Sequence, residues 1–130
     1  MSSQIQIEFG AARRHRADGR TNDADLAYRR AAELARSRED PVGLAHALRH
    51  IADLGLERGA LSEAWRHASE ATDLYRKSSD RLGLANAIRL MALSANDPQT
   101  AKSCWLEARA LYSTLGVAAG VNECDSHLPD

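Results

Sequence analysis

A string of residues near the middle of the chain returns 40 positions later: DPVGLAHALRHIAD, from Asp40 to Asp53, reappears as DRLGLANAIRLMAL, from Asp80 to Leu93. Seven positions are identical, and Val42/Leu82, Leu48/Ile88 and Ile51/Met91 keep their apolar character. A fixed period of this size is the mark of stacked helical hairpins, because one hairpin cannot bury its apolar face alone and must lean on the next. The same reading limits function, since such arrays mostly bind other molecules.

The rest of the composition agrees. Ala and Leu number 40 against 11 for Val, Ile and Thr together, a balance that favours helix because small or straight side chains lose little rotamer freedom there. No β-sheet is expected. The 130 residues, 44% of them apolar, suffice for one domain with a continuous core. With 17 basic and 18 acidic residues there is no global attraction to nucleic acid or to an anionic membrane. The segment MSSQIQIEFG lacks the basic start and long apolar run of a secretory signal, and no stretch approaches the ~18 apolar residues needed to span a bilayer. The expected compartment is the cytoplasm, where Cys104 and Cys124 stay reduced and serve packing.

Caps place the helices. Asp40-Pro41 and Asp97-Pro98 each set a capping carboxylate before a proline at the first helical position, where a missing N–H costs nothing. Asp80 opens the second copy of the repeat, Asp23 is the best cap in TNDAD, and Gly59 and Gly116 suit the left-handed residue that ends a helix. Seven helices follow, over about 4–18, 23–39, 41–58, 61–79, 81–95, 98–115 and 117–128. They pair as 4–39, 41–79 and 81–115, with 117–128 as a terminal cap.

Stripes at helical spacing run along the segments. Leu44, Leu48, Ile51 and Gly55 are followed by Ala64, Ala68, Ala71 and Tyr75; Leu84, Ile88, Met91 and Ala95 by Ala101, Trp105, Ala108 and Tyr112; the last segment carries Val117, Val121, Cys124 and Leu128. The second helices recur at 37 rather than 40 residues, from Ala64, Glu70 and Tyr75 to Ala101, Glu107 and Tyr112, which reads as a connector shortened by three residues. The first pair aligns with the second at Ala27/Ala64, Tyr28/Trp65, Ala31/Ala68 and Glu33/Glu70, also 37 apart.

The turn Gly59-Ala-Leu-Ser-Glu-Ala64 and the small residues at helix crossings resemble the tetratricopeptide repeat, with Ala52 and Ala92 standing where that family places a glycine in its first helix. The resemblance covers about residues 5–128, at spacings longer than the family's usual ~34. It implies an all-α, right-handed α-solenoid of antiparallel helix pairs whose first helices line a concave binding surface, and a binding role rather than chemistry.

On 41–58, the residues His46, Arg49, His50, Asp53 and Glu57 gather opposite the Leu44/Leu48/Ile51 stripe. The resemblance points this face into the groove, where Arg49 could grip a carboxylate with a forked pair of hydrogen bonds; an ordinary solvated face is the plain alternative. The next copy contributes Asn86 and Arg89 and replaces His50 and Asp53 with Leu90 and Leu93, read as an apolar anchor for a partner or as residues covered by the terminal helix. Two histidines at i and i+4 with Asp53 also permit a metal site, although no further ligand motif accompanies them. Trp65, Trp105, Tyr28, Tyr75 and Tyr112 fall on second-helix stripes and read as core. The basic run Arg13, Arg14, His15, Arg16 with Arg20 reads as a solvated helix end.

No Gly-rich phosphate loop, nucleophile elbow or paired-carboxylate cleft is present. The expectation is therefore a non-enzymatic module without cofactor, metal or catalytic residues, which holds a protein or peptide segment and touches neither nucleic acid nor membrane. A self-associating dimer, since three repeats are near the minimum for stability, or a fragment of a regulatory protein is the alternative.

Overall fold

The computed structural model describes residues 3–129. Among these lie seven helices and no strand: α1 (Ser3–Ala17), α2 (Thr21–Ser37), α3 (Pro41–Glu57), α4 (Leu61–Arg76), α5 (Arg81–Ser94), α6 (Pro98–Leu115) and α7 (Ala118–Ser126). Each packs on its sequence neighbours, and α3 also packs directly on α5. The result is an all-α array of consecutive helix pairs. None of the described helices is long and apolar enough to cross a membrane.

The caps act where the sequence places them. The Asp40 and Asp80 carboxylates accept from the backbone N–H of Gly43 and Gly83 at 2.9 and 2.8 Å, and Asp97 accepts from Thr100 at 2.8 Å. Each satisfies a donor that the first helical turn leaves without a partner. Gly59 and Gly116 take φ near +77° and +73°, and Gly19 does the same at +76°. Gly19 also accounts for a departure from expectation. It turns the chain so early that α2 begins at Thr21, leaving Asp23 inside the first turn, where it meets the positive end of the helix dipole instead of capping it. At the other end α7 stops at Ser126, so His127 and Leu128 lie beyond the helix.

Burial fixes the register of the repeats. Ala24, Tyr28, Ala31, Ala32 and Ala35 are buried in α2, and the residues 40 later, Ala64, Ala68, Ala71, Thr72 and Tyr75, are buried in α4. The spacing of 37 assigned to the first pair is thus replaced by 40. Three residues are indeed missing from the third pair, but they come out of a helix: α5 has 14 residues where α3 has 17, while the connections 58–60 and 95–97 are of equal length. A deletion of three is close to one 3.6-residue turn, so the stripe is nearly preserved.

One contact recurs at all three junctions and a second at two of them. One joins positions 22 apart, 28 to 50, 68 to 90 and 105 to 127: Tyr28 and His50 stack with centroids 4.7 Å apart, Ala68 and Leu90 share a buried cluster with Ala52, and Trp105 and His127 stack at 4.0 Å. The other joins positions eight apart, where the Tyr75 ring lies on Gly83 and the Tyr112 ring on Gly120 so closely that a Cβ on either glycine would collide with it. Charged pairs tie the outer helices together: Arg36 holds Glu70 with both nitrogens and Arg76 holds Glu107 in the same way. Both carboxyls are lowered below their ordinary range, chiefly by these hydrogen bonds.

Candidate functional site

The first helices α3 and α5 carry the polar side chains singled out above, and α1 and α7 flank them through charged bridges. Arg16 of α1 reaches Asp53 at 3.0 Å and Glu57 at 2.5 Å, and Arg89 of α5 reaches Glu123 of α7 at 2.6 Å. Asp53, Glu57 and Arg89 therefore already hold internal partners. Arg49 differs: no carboxylate among the described residues lies within ion-pair distance, and its Nε donates to the Tyr75 hydroxyl at 3.3 Å. At the centre of this face stands one cation whose charge the fold leaves uncompensated.

The second helices contribute two tyrosine hydroxyls. Tyr75 reaches from α4 to His46 Nδ1 at 2.6 Å, and Tyr112 reaches from α6 and donates to the Asn86 side-chain oxygen at 2.6 Å. His46 and Asn86 are the same position in the two copies, so one contact is built twice with different acceptors. Burial raises both phenols, Tyr112 to about 12, and they remain neutral donors at physiological pH. Their rings were assigned to the core, which is correct. Their oxygens are what the sequence reading missed. The signal was available in the equal spacing from Tyr75 and Tyr112 to the glycines eight residues on.

The histidines do not converge on a metal. His46 is bonded to Tyr75 on one neighbour and His50 is stacked on Tyr28 of another. No group of three or more His, Cys, Asp or Glu side chains able to hold a metal ion occurs among the described residues. His50 is driven down to about 4, first by burial and then by Arg49 and Arg16, and His46 is lowered for the first two of these reasons.

The apolar anchor needs correction. Leu90 is only 3% exposed and packs with Ala52 and Ala68, and Leu93 is half-buried against the same cluster. Position 90 faces the crossing of α4 with α5, as His50 faces the crossing of α2 with α3, so it fills a junction rather than offering itself to a partner. What covers it is α3 and α4, not the terminal helix. The accessible apolar residue on this side is Leu82, 45% exposed. With Asn86, Arg89, Tyr112, Val117 and Glu123 it lines a cleft of about 230 Å³ between α5 and α7. The cap was expected to close the array, and instead it supplies one wall of this cleft. Of the remaining aromatics, Tyr28, Tyr75, Trp105 and Tyr112 are buried and Trp65 is half-buried.

The chain matches no family model, and no curated protein is significantly similar to it.

Proposed function

We propose that the protein is a non-enzymatic, tetratricopeptide-like module of the cytoplasm that holds an extended segment of another protein on the face formed by α3, α5 and α7. The observation that carries this reading is the state of that face: Arg49 is left without a carboxylate and lies near enough to act on Tyr112, which lines a cleft with exposed Leu82 and with Asn86. Arg49 would take a carboxylate or a main-chain carbonyl of the bound segment, Leu82 and Val117 would take an apolar side chain, and the free amide protons of Asn86 would meet its backbone. His46, Asp53, Glu57 and Arg89, being internally paired, shape and charge the face. Leu90 and Leu93 support it from beneath.

Peptides selected from a displayed random library provide the ligand for a test. Leu82→Ser, and Arg49→Glu, which also removes the donor to Tyr75, should each weaken a selected peptide at least tenfold, as loss of a charge-assisted hydrogen bond or of a buried apolar contact does. Retained affinity in both variants, with the fold intact by circular dichroism, would reject this face as the contact surface.

A further inference from the structure

His46 and Asn86 occupy one repeat position and each is hydrogen-bonded to the tyrosine of its own repeat at the same 2.6 Å distance. The proton arrangement around His46 follows from its neighbours. Arg49 Nε can only donate, and the Tyr75 oxygen accepts from it at 3.3 Å; the Asp80 carboxylate beside His46 Nε2 can only accept, which favours the ring proton there and leaves Nδ1 to accept the Tyr75 proton. Nδ1 is then an acceptor and the ring proton sits on Nε2, which faces the Asp80 carboxylate at 3.8 Å. An imidazole in that state is neutral. Adding a proton turns Nδ1 into a donor aimed at a hydroxyl that already receives one from Arg49, and the Tyr75 proton loses its acceptor. The side-chain oxygen of Asn86 undergoes no such change.

We infer that the His46–Tyr75 hydrogen bond is a proton-sensitive joint in the middle repeat, opened when His46 is protonated, and that Asn86 renders the equivalent joint of the third repeat insensitive to pH. The charged and titratable groups that act on His46 are Asp40 at the head of α3, Arg49 and His50 on α3 itself, Tyr75 on α4 and Asp80 at the head of α5. No side chain of α2 is among the charges acting on it. Arg49 opposes protonation from the side of the tyrosine, while Asp80 offers the imidazolium an alternative partner at the junction with α5. Protonation thus trades a contact inside one repeat for a contact between repeats. Burial and Arg49 hold the imidazole below its ordinary range, so the unfolded chain takes up this proton first and the joint costs stability as the solution is acidified. The inference stands independently of any bound partner.

The test compares urea midpoints near pH ~7.5 and ~5 for the wild type, His46→Asn, which copies the third repeat into the second, and Asn86→His, which does the reverse. His67 titrates in all three proteins as a common background, and His50, on which His46 acts less than burial, Arg49, Arg16 and Asp53 do, titrates nearly equally in them. The acid-induced drop in midpoint should shrink in His46→Asn and grow in Asn86→His; equal drops in all three would overturn the inference. A second readout needs no stability difference: the His46 ring signal followed by NMR should titrate at a higher pH in Tyr75→Phe than in the wild type, because the donor that favours the neutral ring is gone. An unmoved titration would refute the hydrogen bond as the cause.

Discussion

His50 lies in the crevice between α2 and α3, flat against Tyr28, and that surrounding holds its imidazole neutral to about 4 against an ordinary value of 6.5. The folded ring resists a proton that the unfolded chain accepts, so stability is at its full value above about 6.5 and declines as the pH falls from there towards 4. At about 1.4 kcal/mol for each pH unit of difference, His50 alone should remove up to about 3 kcal/mol over that interval. A series of denaturant midpoints from neutral to acid pH checks this, and His50→Leu, which copies the Leu90 of the next repeat, should flatten the curve. The same pair of residues marks where single-residue reading of the sequence succeeds and fails. The helical wheel places 46, 49, 50 and 53 of α3 on one side, and the structure agrees. It treats that side as free, however, and a first helix in an array is flanked by its pair partner, by the preceding second helix and by another first helix. Position 50 or 90 therefore lies at a crossing, a relation to residues 22 earlier that periodicity within one helix does not contain.

At the scale of elements, helix existence and most helix starts are legible because Asp-Pro and Asp-x-x-Gly caps are local chemistry. The alignment of repeats is less legible, because alanine occurs so often in α2 that registers of 37 and 40 both bring alanines together; only burial, through Tyr28 over Ala68 and Ala35 over Tyr75, separates them. The glycine contacts test the inter-repeat packing. In Gly83→Ala the new methyl would strike the Tyr75 ring, and overpacking of this kind should cost about 1–3 kcal/mol. Gly59→Ala meets nothing within 4 Å and is opposed only by its φ of +77°, at about 1–2 kcal/mol. The two are separated by Tyr75→Ala, which should relieve the first substitution in part, the Asp80 carboxylate 2.8 Å from the new methyl remaining, and leave the second unchanged in a double-mutant cycle. The shortened α5 offers another check. Its absent last turn coincides with a cleft of about 230 Å³ lined by Leu61, Trp65, Ser94, Asn96, Asp97 and Thr100, beside a Leu61 that is 48% exposed. Inserting Gly-Leu-Glu after Ser94, the turn that α3 has at 55–57, should cover Leu61 and raise stability by about 0.5–2 kcal/mol, read from the thermal midpoint. A fall would mean that the cleft is not the space of the missing turn.

For the whole molecule, the duplicated string points to a stacked array, because each copy carries the same stripe and leans on its neighbours in the same way. It cannot say which face stays open. That depends on long side chains that reach between repeats, Arg16 to Asp53 and Glu57, Arg89 to Glu123, Arg36 to Glu70 and Arg76 to Glu107, and such pairs join residues 31 to 41 apart on different helices. Their effect is to close the outer second helices to one another and to pair Arg16 and Arg89 of the first helices with carboxylates, while Arg49 between them has none. In the proposed mode of binding this face, and not the outer one, receives the partner. The most direct measurement is a map of amide chemical-shift changes on adding a library-selected peptide to the labelled protein. The largest changes are expected along α3, α5 and α7, centred on Arg49, Leu82 and Asn86; changes concentrated on the exposed side of α2, α4 and α6 would place the partner on the outer face and overturn the proposal.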